Sequence, residues 1–319
     1  MKELKKVAVV DIGTNSVRLM IATASGKKIE SVLYQDGRIT RLGEGLADHG
    51  SISRQAIERT IPVLSEYSDR IRSYSPDRIC FVGTSALRQA ANQKEVLARF
   101  EEESGTRVRV ISGEHEAALT YRGALLGLDE IKGPFLVIDI GGGSSELIVG
   151  ETTRKFWKAF SVEVGVVTLT EGWFRSDPPS AGEVLQVRRY LEERFRDIVT
   201  ILSPYLTSGV TPVGTAGSVT TILAMVRKMV RYDPVVVHGQ GLSRQEVSKL
   251  FDEILLMKAS ERLALPGLEK GREDIILSGT LILLSILEFV NQAGLVVSSC
   301  GLREGVVLAL ADEGLDSVL

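Results

Sequence analysis

Cysteine is nearly missing from this chain, with 2 in 319 residues. That excludes a disulfide framework, and both thiols, Cys80 and Cys300, lie in apolar strand-like runs where burial is expected. Neither sign of charge is in surplus: 38 Lys and Arg stand against 41 Asp and Glu, a net charge of −3. The balance argues against a general nucleic-acid or membrane-surface binder. Any polyanionic ligand must then be met by individually placed cations. Long apolar runs are lacking as well. The segment before Asp11 is too short for a signal peptide. The most apolar late stretch, Leu281 to Val290, contains Glu288 and falls well short of a membrane span. A cytoplasmic location with no membrane or nucleic-acid partner is the expectation. A hydrophobic content of 44% with 25% charged residues is ordinary for a globular chain, and the length suits two domains.

What the chain does have is a glycine-rich stretch from Leu136 to Val149. An apolar run ends in Asp139, then come Gly141, Gly142 and Gly143, then Ser144, Ser145 and Glu146 before apolar residues resume. The pattern predicts a strand, a tight turn and a second strand. Three glycines let the backbone approach a ligand and aim several N–H groups at one place, which suits a phosphate. Asp139 and Glu146 are hard oxygen donors for a divalent metal beside it. Taken alone, the segment is equally a plain hairpin with a glycine tip.

Its twin lies near the N-terminus. Val7 to Ile21 falls on the later stretch after a shift of 128 residues, Asp11 onto Asp139, Gly13 onto Gly141, Ser16 onto Ser144. That separation is too long for a solenoid repeat and points to two similar lobes, each giving one phosphate hairpin to a shared cleft. The informative difference is Arg18 where the later copy has Glu146.

Along the chain, Lys28 to Arg41 suggests further strand, and Gly43 to Gly50 a turn-rich loop. Ser53 caps a helix to about Tyr74, with Ala56, Ile57, Leu64, Tyr67 and Ile71 on one face; Pro62 should kink it or mark its first turn. A strand from Arg78 to Val82 precedes Gly83-Thr84-Ser85-Ala86-Leu87-Arg88, whose Thr84, Ser85 and Arg88 offer an anion contact or a simple helix cap. Helix 92–103 and strand 107–111 follow. Ser112 then opens a helix to about Leu126, with Glu114 and Glu116 in its first turn. Such acids complement the helix dipole, and one of them could work as a general base. Phe156 to Thr170 reads as strand. Ser180 and Ser243 each begin a capping box, for helices to about Leu202 and Met257. The turn holding Gly214, Thr215, Gly217 and Ser218 enters a helix and is a third anion site. Val235 to Val237 reads as strand before His238. A largely apolar helix spans 274–291, and Gly301-Leu302-Arg303-Glu304-Gly305 leads into a last one.

These motifs together resemble the exopolyphosphatase / guanosine pentaphosphate phosphohydrolase (Ppx/GppA) family of the actin-like superfamily, in its short form without an appended helical domain. The resemblance runs through Asp-Ile-Gly-Thr-Asn-Ser-Val-Arg-Leu (11–19), Gly-Thr-Ser-Ala-Leu-Arg (83–88), Ile-Ser-Gly-Glu-His-Glu-Ala (111–117), Ile-Asp-Ile-Gly-Gly-Gly-Ser-Ser-Glu-Leu (138–147), Val-Gly-Thr-Ala-Gly-Ser (213–218), His238-Gly239 and Gly-Leu-Arg-Glu-Gly (301–305). It implies an α/β fold of two ribonuclease H-like lobes, each a mixed sheet flanked by helices, with an interlobe cleft. Lobe I would be 1–125, with helix 303–319 packing back on it, and lobe II 126–302. It implies release of terminal phosphate from polyphosphate or guanosine pentaphosphate with Mg²⁺ or Mn²⁺, and a homodimer. Glu116 falls on the base and Glu146 on the second catalytic carboxylate. Asp139 and Glu146, with Asp11, would serve the metal. Gly141, Gly142, Gly143, Ser144 and Ser145 would cradle the phosphoryl group, and Gly13, Thr14, Asn15, Ser16, Arg18 and Arg88 adjacent phosphates. His115 stands where relatives carry an acid, and Ser145 where Thr is more usual. Two other readings remain: a kinase or ATPase of the wider superfamily, and a sensor of guanosine tetraphosphate or polyphosphate without catalysis.

Overall fold

The computed structural model describes residues 4–152, 155–206 and 209–312. The described residues form two compact units. One takes the described residues of 4–126 together with 302–312, the other those of 127–301.

In the first unit a five-stranded sheet is built from β1 (Lys5–Ile12), β2 (Ser16–Ala24), β3 (Ile29–Ile39), β4 (Arg78–Gly83) and β5 (Val108–Val110). Their order is β3-β2-β1-β4-β5; β1–β2–β3 run antiparallel and β1–β4–β5 parallel. The unbroken Val-Ala-Val-Val of β1 follows from cover on both faces. Ala8, Val10 and Ile12 pack with Ala56, Ile57, Leu64 and Tyr67 of helix Arg54–Tyr74. Val7 and Val9 pack with Leu119 of helix Gly113–Ala124 and with Val306, Val307 and Leu310 of helix Leu302–Asp312. These two helices meet backbone to backbone, because a side chain on Gly305 would overlap the Leu119 carbonyl. The rest of the expected helix 303–319 lies outside the described residues. Ser53 caps its helix by accepting from the Ala56 N–H, and the helix runs on through Pro62, well past its first turn.

In the second unit the strands are β6 (Phe135–Ile140), β7 (Ser145–Thr152), β8 (Lys155–Val162), β9 (Thr211–Thr215), β10 (Gly241–Ser243) and β11 (Gly294–Val297). Read from β8, the order is β8-β7-β6-β9-β11-β10. Again the first three strands are antiparallel, and β6–β9–β11 are parallel. Apart from β10 this is the topology of the first unit, so the short internal repeat in sequence marks a repeat of the whole sheet. The core gathers around helix Ile276–Phe289, which is apolar on every side and buried throughout its middle. Ser180 and Ser243 make their capping boxes with Glu183 and Glu246. Among the described residues no helix is long and apolar enough to cross a membrane.

Three expectations fail. The strand expected over Phe156 to Thr170 stops at Val162, and Val166–Trp173 is a helix. Val235 to Val237 belongs to a short helix, Pro234–Val237, because Pro234 is preset for a first helical turn and Asp233 caps it by accepting from the Val235 N–H. Cys80 is buried in β4, but Cys300 lies after β11 in a partly exposed connection, where its carbonyl serves the fold more than its thiol does.

Candidate active site

Each unit carries one hairpin of the same build. In the first, Asp11 stands directly opposite Arg18; in the second, Asp139 stands directly opposite Glu146. Directly opposed side chains on antiparallel strands have Cβ atoms about 5 Å apart, so each acid sets up its partner's environment. The turns match as well. The Gly13 N–H donates to the Ser16 carbonyl at 3.0 Å, and the Gly141 N–H to the Ser144 carbonyl at 2.9 Å.

Within the first hairpin, burial pushes the Asp11 carboxyl up to about 6; Arg18 and then Arg303 pull it back, and Glu304 pushes it further up. Its Oδ1 is buried and has no hydrogen-bond partner. The buried Asn15 side chain likewise leaves its Nδ2 donor unmatched. An orphan acceptor and an orphan donor flank the Thr14–Asn15 turn, which is what a site that takes a cation and a phosphate oxygen would offer before loading. Gly13 and Ser16 enter through their backbone. Arg303, beginning the last helix, also acts on Asp11, though no sequence signal assigns it to this hairpin; it forks onto Glu304 Oε1 through Nε and Nη2 at 3.1 and 2.7 Å.

Glu116 is 7% exposed, whereas Glu114 is exposed to solvent. Arg88 reaches it from the helix after β4, donating through Nη1 to Glu116 Oε2 at 2.8 Å and to the Ile111 carbonyl at 3.0 Å. Arg88 is therefore neither a loose surface arginine nor a phosphate contact alone: it holds the carboxylate expected to be the base. Ser112 caps this helix by accepting from the His115 N–H. Thr84 continues β4, its N–H donating to the Ile12 carbonyl, and the Ser85 hydroxyl accepts from Gln89.

In the second unit Asp139 is 8% exposed and Glu146 1%. Like charges directly opposed on a sheet destabilise it unless a cation or a proton intervenes. Within neither unit do three His, Cys, Asp or Glu side chains of the described residues gather into a metal cluster. A hard ion held by one or two carboxylates, with water and substrate oxygens completing its shell, is the magnesium habit, and the donors here fit it. Ser161, on β8, donates to Glu146 Oε1 at 2.7 Å and so orients that carboxylate. Its pattern in sequence is that of any strand serine.

Other expected phosphate ligands are occupied in the scaffold. The Ser145 hydroxyl is buried and donates to the Val164 carbonyl at 2.6 Å, and the Thr215 hydroxyl to the Cys300 carbonyl at 2.6 Å. Gly214 lacks a side chain because Leu295 and Val219 fill that space, and Ser218 packs against Gly279. The third turn, with Gly217, can thus offer a ligand little beyond the backbone of its helix start. His238 accepts from the Ser299 N–H at 3.3 Å and rests against Gly127, a scaffold role.

Two α/β units of one topology, each with an acid at the mouth of a glycine or hydroxyl turn, define a phosphate-handling protein of the actin-like, ribonuclease H-like class. Residues 6–313 match the profile of the Ppx/GppA phosphatase family. The chain is 32% identical to exopolyphosphatase 2 of Mycobacterium tuberculosis, over 97% of this chain and 99% of that one. It is 30% identical to a guanosine-5'-triphosphate,3'-diphosphate pyrophosphatase of Vibrio parahaemolyticus, covering 96% of this chain but only 59% of that protein. Among solved structures, an exopolyphosphatase-like protein superposes with a TM-score of 0.92 at 30% identity, covering all of both chains. The Aquifex aeolicus PPX-GPPA enzyme gives 0.80 at 36% identity, over 96% of this chain and 100% of that one. The chain belongs to the Ppx/GppA phosphatase family and is a phosphate-releasing hydrolase.

Proposed function

We propose that the protein releases the terminal phosphate of inorganic polyphosphate, of guanosine pentaphosphate, or of both, by attack of a carboxylate-activated water. The register of the two hairpins carries this reading. A cation opposes the acid in one, where negative phosphate has to be held, and a second carboxylate opposes it in the other, where a metal has to be held.

Glu116 is the base. Its burial keeps bulk water from competing for the proton, and Arg88 keeps it fixed. Arg18, the Asn15 amide and the backbone N–H groups of Thr14 and Asn15 bind phosphates adjacent to the one that leaves. The glycine triplet of the second hairpin cradles the transferred phosphoryl group, since phosphoryl transfer depends mostly on positioning and charge neutralisation. Asp139 and Glu146 would hold Mg²⁺ or Mn²⁺, which when bound would neutralise phosphate charge and favour hydroxide over water. Both substrates present the same terminal anhydride, so the same groups serve either.

The test is direct. The protein is incubated with Mg²⁺ and either long-chain polyphosphate or guanosine pentaphosphate, and released phosphate is followed. Glu116→Gln should lose about 10²–10⁴-fold in turnover. No release from either substrate by the wild type refutes the activity, and equal release by the variant refutes the base.

A further inference from the structure

The helix that replaces the expected strand, Val166–Trp173, begins against the glycine triplet, and its first N–H groups are not open to a ligand. Val166 N–H donates to the Gly141 carbonyl at 3.0 Å, and Val167 N–H to the Gly142 carbonyl at 2.8 Å. Thr168 N–H reaches the Gly142 carbonyl at 3.4 Å. Three of the four donors that a helix start leaves unmatched are thus spent on two carbonyls of the turn. The approach is so close that a side chain on Gly165 would overlap the Gly142 carbonyl and the Gly143 nitrogen. Ser145 pins the other end by donating to the Val164 carbonyl at 2.6 Å. The Thr168 hydroxyl fixes Gly165 itself, accepting from its N–H at 3.0 Å and donating to its carbonyl at 3.1 Å.

These peptides are trans, and in a trans peptide the N–H points opposite to the carbonyl. With the Gly141 and Gly142 carbonyls drawn to the helix start, the N–H groups of Gly142 and Gly143 are turned the other way, side by side. Among the described residues neither donates to a protein acceptor.

The first unit repeats the device where sequence gives no hint of it. There the chain leaving β3 returns across the turn: Thr40 and Arg41 N–H donate to the Asn15 carbonyl at 3.1 and 2.9 Å, and Gly43 N–H to the Thr14 carbonyl at 2.8 Å. A side chain on Gly43 would overlap the Thr14 methyl. In both units the segment after the third strand is a strap over the phosphate turn, carrying a glycine at the point of contact.

We infer that segment 164–168 is a strap that presets the phosphoryl cradle, and that Gly165 and Thr168 are positioning residues of this phosphatase. They act through the Gly142 and Gly143 N–H groups and do not touch the substrate. The inference rests on the triplet being the cradle. Donors held in place before the reaction stabilise developing charge without reorganisation, so loosening the strap should spare ground-state binding and slow the chemical step.

Phosphate release from long-chain polyphosphate with Mg²⁺ separates the outcomes, together with calorimetric binding of orthovanadate and the melting temperature. Gly165→Ala should lower kcat about 10²-fold or more, as removal of an oxyanion donor does, with KM within about threefold. Thr168→Val should cost kcat about threefold to tenfold, the worth of a lost hydrogen bond, and weaken orthovanadate; Thr168→Ser should restore both. A folded Gly165→Ala enzyme with wild-type kcat overturns the inference, as does Thr168→Ser falling as far as Thr168→Val. Should Gly165→Ala fail to fold, the threonine pair decides alone. Should the wild type release no phosphate, the proposed function fails, and the strap stands or falls on whether orthovanadate affinity drops with Thr168→Val and returns with Thr168→Ser.

Discussion

Asp11→Asn should make the protein more stable at neutral pH while disabling it. The Asp11 carboxyl is moved from 3.8 to about 6, chiefly by burial. At about 1.4 kcal/mol per tenfold, keeping it ionised in the folded chain costs about 3 kcal/mol. A carboxyl whose pKa is raised on folding contributes stability that is fully present below 3.8 and lost as the pH rises through 6. The wild type should therefore lose stability across pH 4 to 6.5, and the asparagine variant should not. The gap at pH 8 should approach 3 kcal/mol, on the order of 5–10 °C in the melting transition of a unit of this size, and should close below pH 4. Arg18 and Arg303 already enter the net figure as attractions, so losing them is included. Thermal melts of both proteins in metal-free buffer from pH 4 to pH 8 read the effect. A variant no more stable than wild type at pH 8, or a gap that does not vary with pH, refutes the account of Asp11 as a carboxylate held at a cost. Phosphate release should fall in the same variant, because the site keeps that charge for its ligand.

Three further outcomes concern the charged groups of the candidate site. Arg88→Gln should lower kcat more than it raises KM, and combined with Glu116→Gln it should add little, since the pair acts through one carboxylate; additive losses would separate the two residues. Ser161→Ala frees Glu146 Oε1 from its 2.7 Å donor and should raise the Mg²⁺ concentration needed for half-maximal activity about 10–100-fold; an unchanged requirement would remove Glu146 from the metal. Arg18→Ala should raise KM, more for long polyphosphate than for short chains if several phosphates are held at once, and a change in turnover with KM unmoved would contradict that role.

Local signals were legible in sequence wherever a short-range rule decides the outcome. Ser53, Ser180 and Ser243 cap the helices their spacing marks, and the two hairpins lie where the duplicated acids and glycines place them. The failures come where tertiary contacts override propensity. Val164 to Thr170 alternates and is rich in β-branched residues, so it reads as strand. What makes it helical is the Thr168 hydroxyl on Gly165 and the acceptance of three helix-start N–H groups by glycines about 25 residues earlier. No window of sequence contains both halves of that arrangement. The same holds for Arg88 and Glu116, for Ser161 and Glu146, and for the Ser145 and Thr215 hydroxyls, which donate to carbonyls distant in sequence.

The repeat within the chain therefore goes deeper than its sequence signature. Eleven or so residues of each hairpin still resemble one another, because an acid, a glycine and a hydroxyl leave little room for change where a backbone must approach phosphate. The straps have diverged to the point of using different structures, a loop at 40–43 and a helix at 164–168, because many segments can supply two or three N–H groups to a carbonyl. Both still require a glycine at closest approach, where only the absence of a Cβ lets backbone lie on backbone or on a turn side chain. In the second unit the hydrogen bonds come from the start of a helix, and the Thr168 hydroxyl fixes Gly165. That is where rigidity matters most if this turn meets the phosphoryl group: an error in the direction of two N–H groups there acts on the reaction barrier, while the same error in the first hairpin acts on binding.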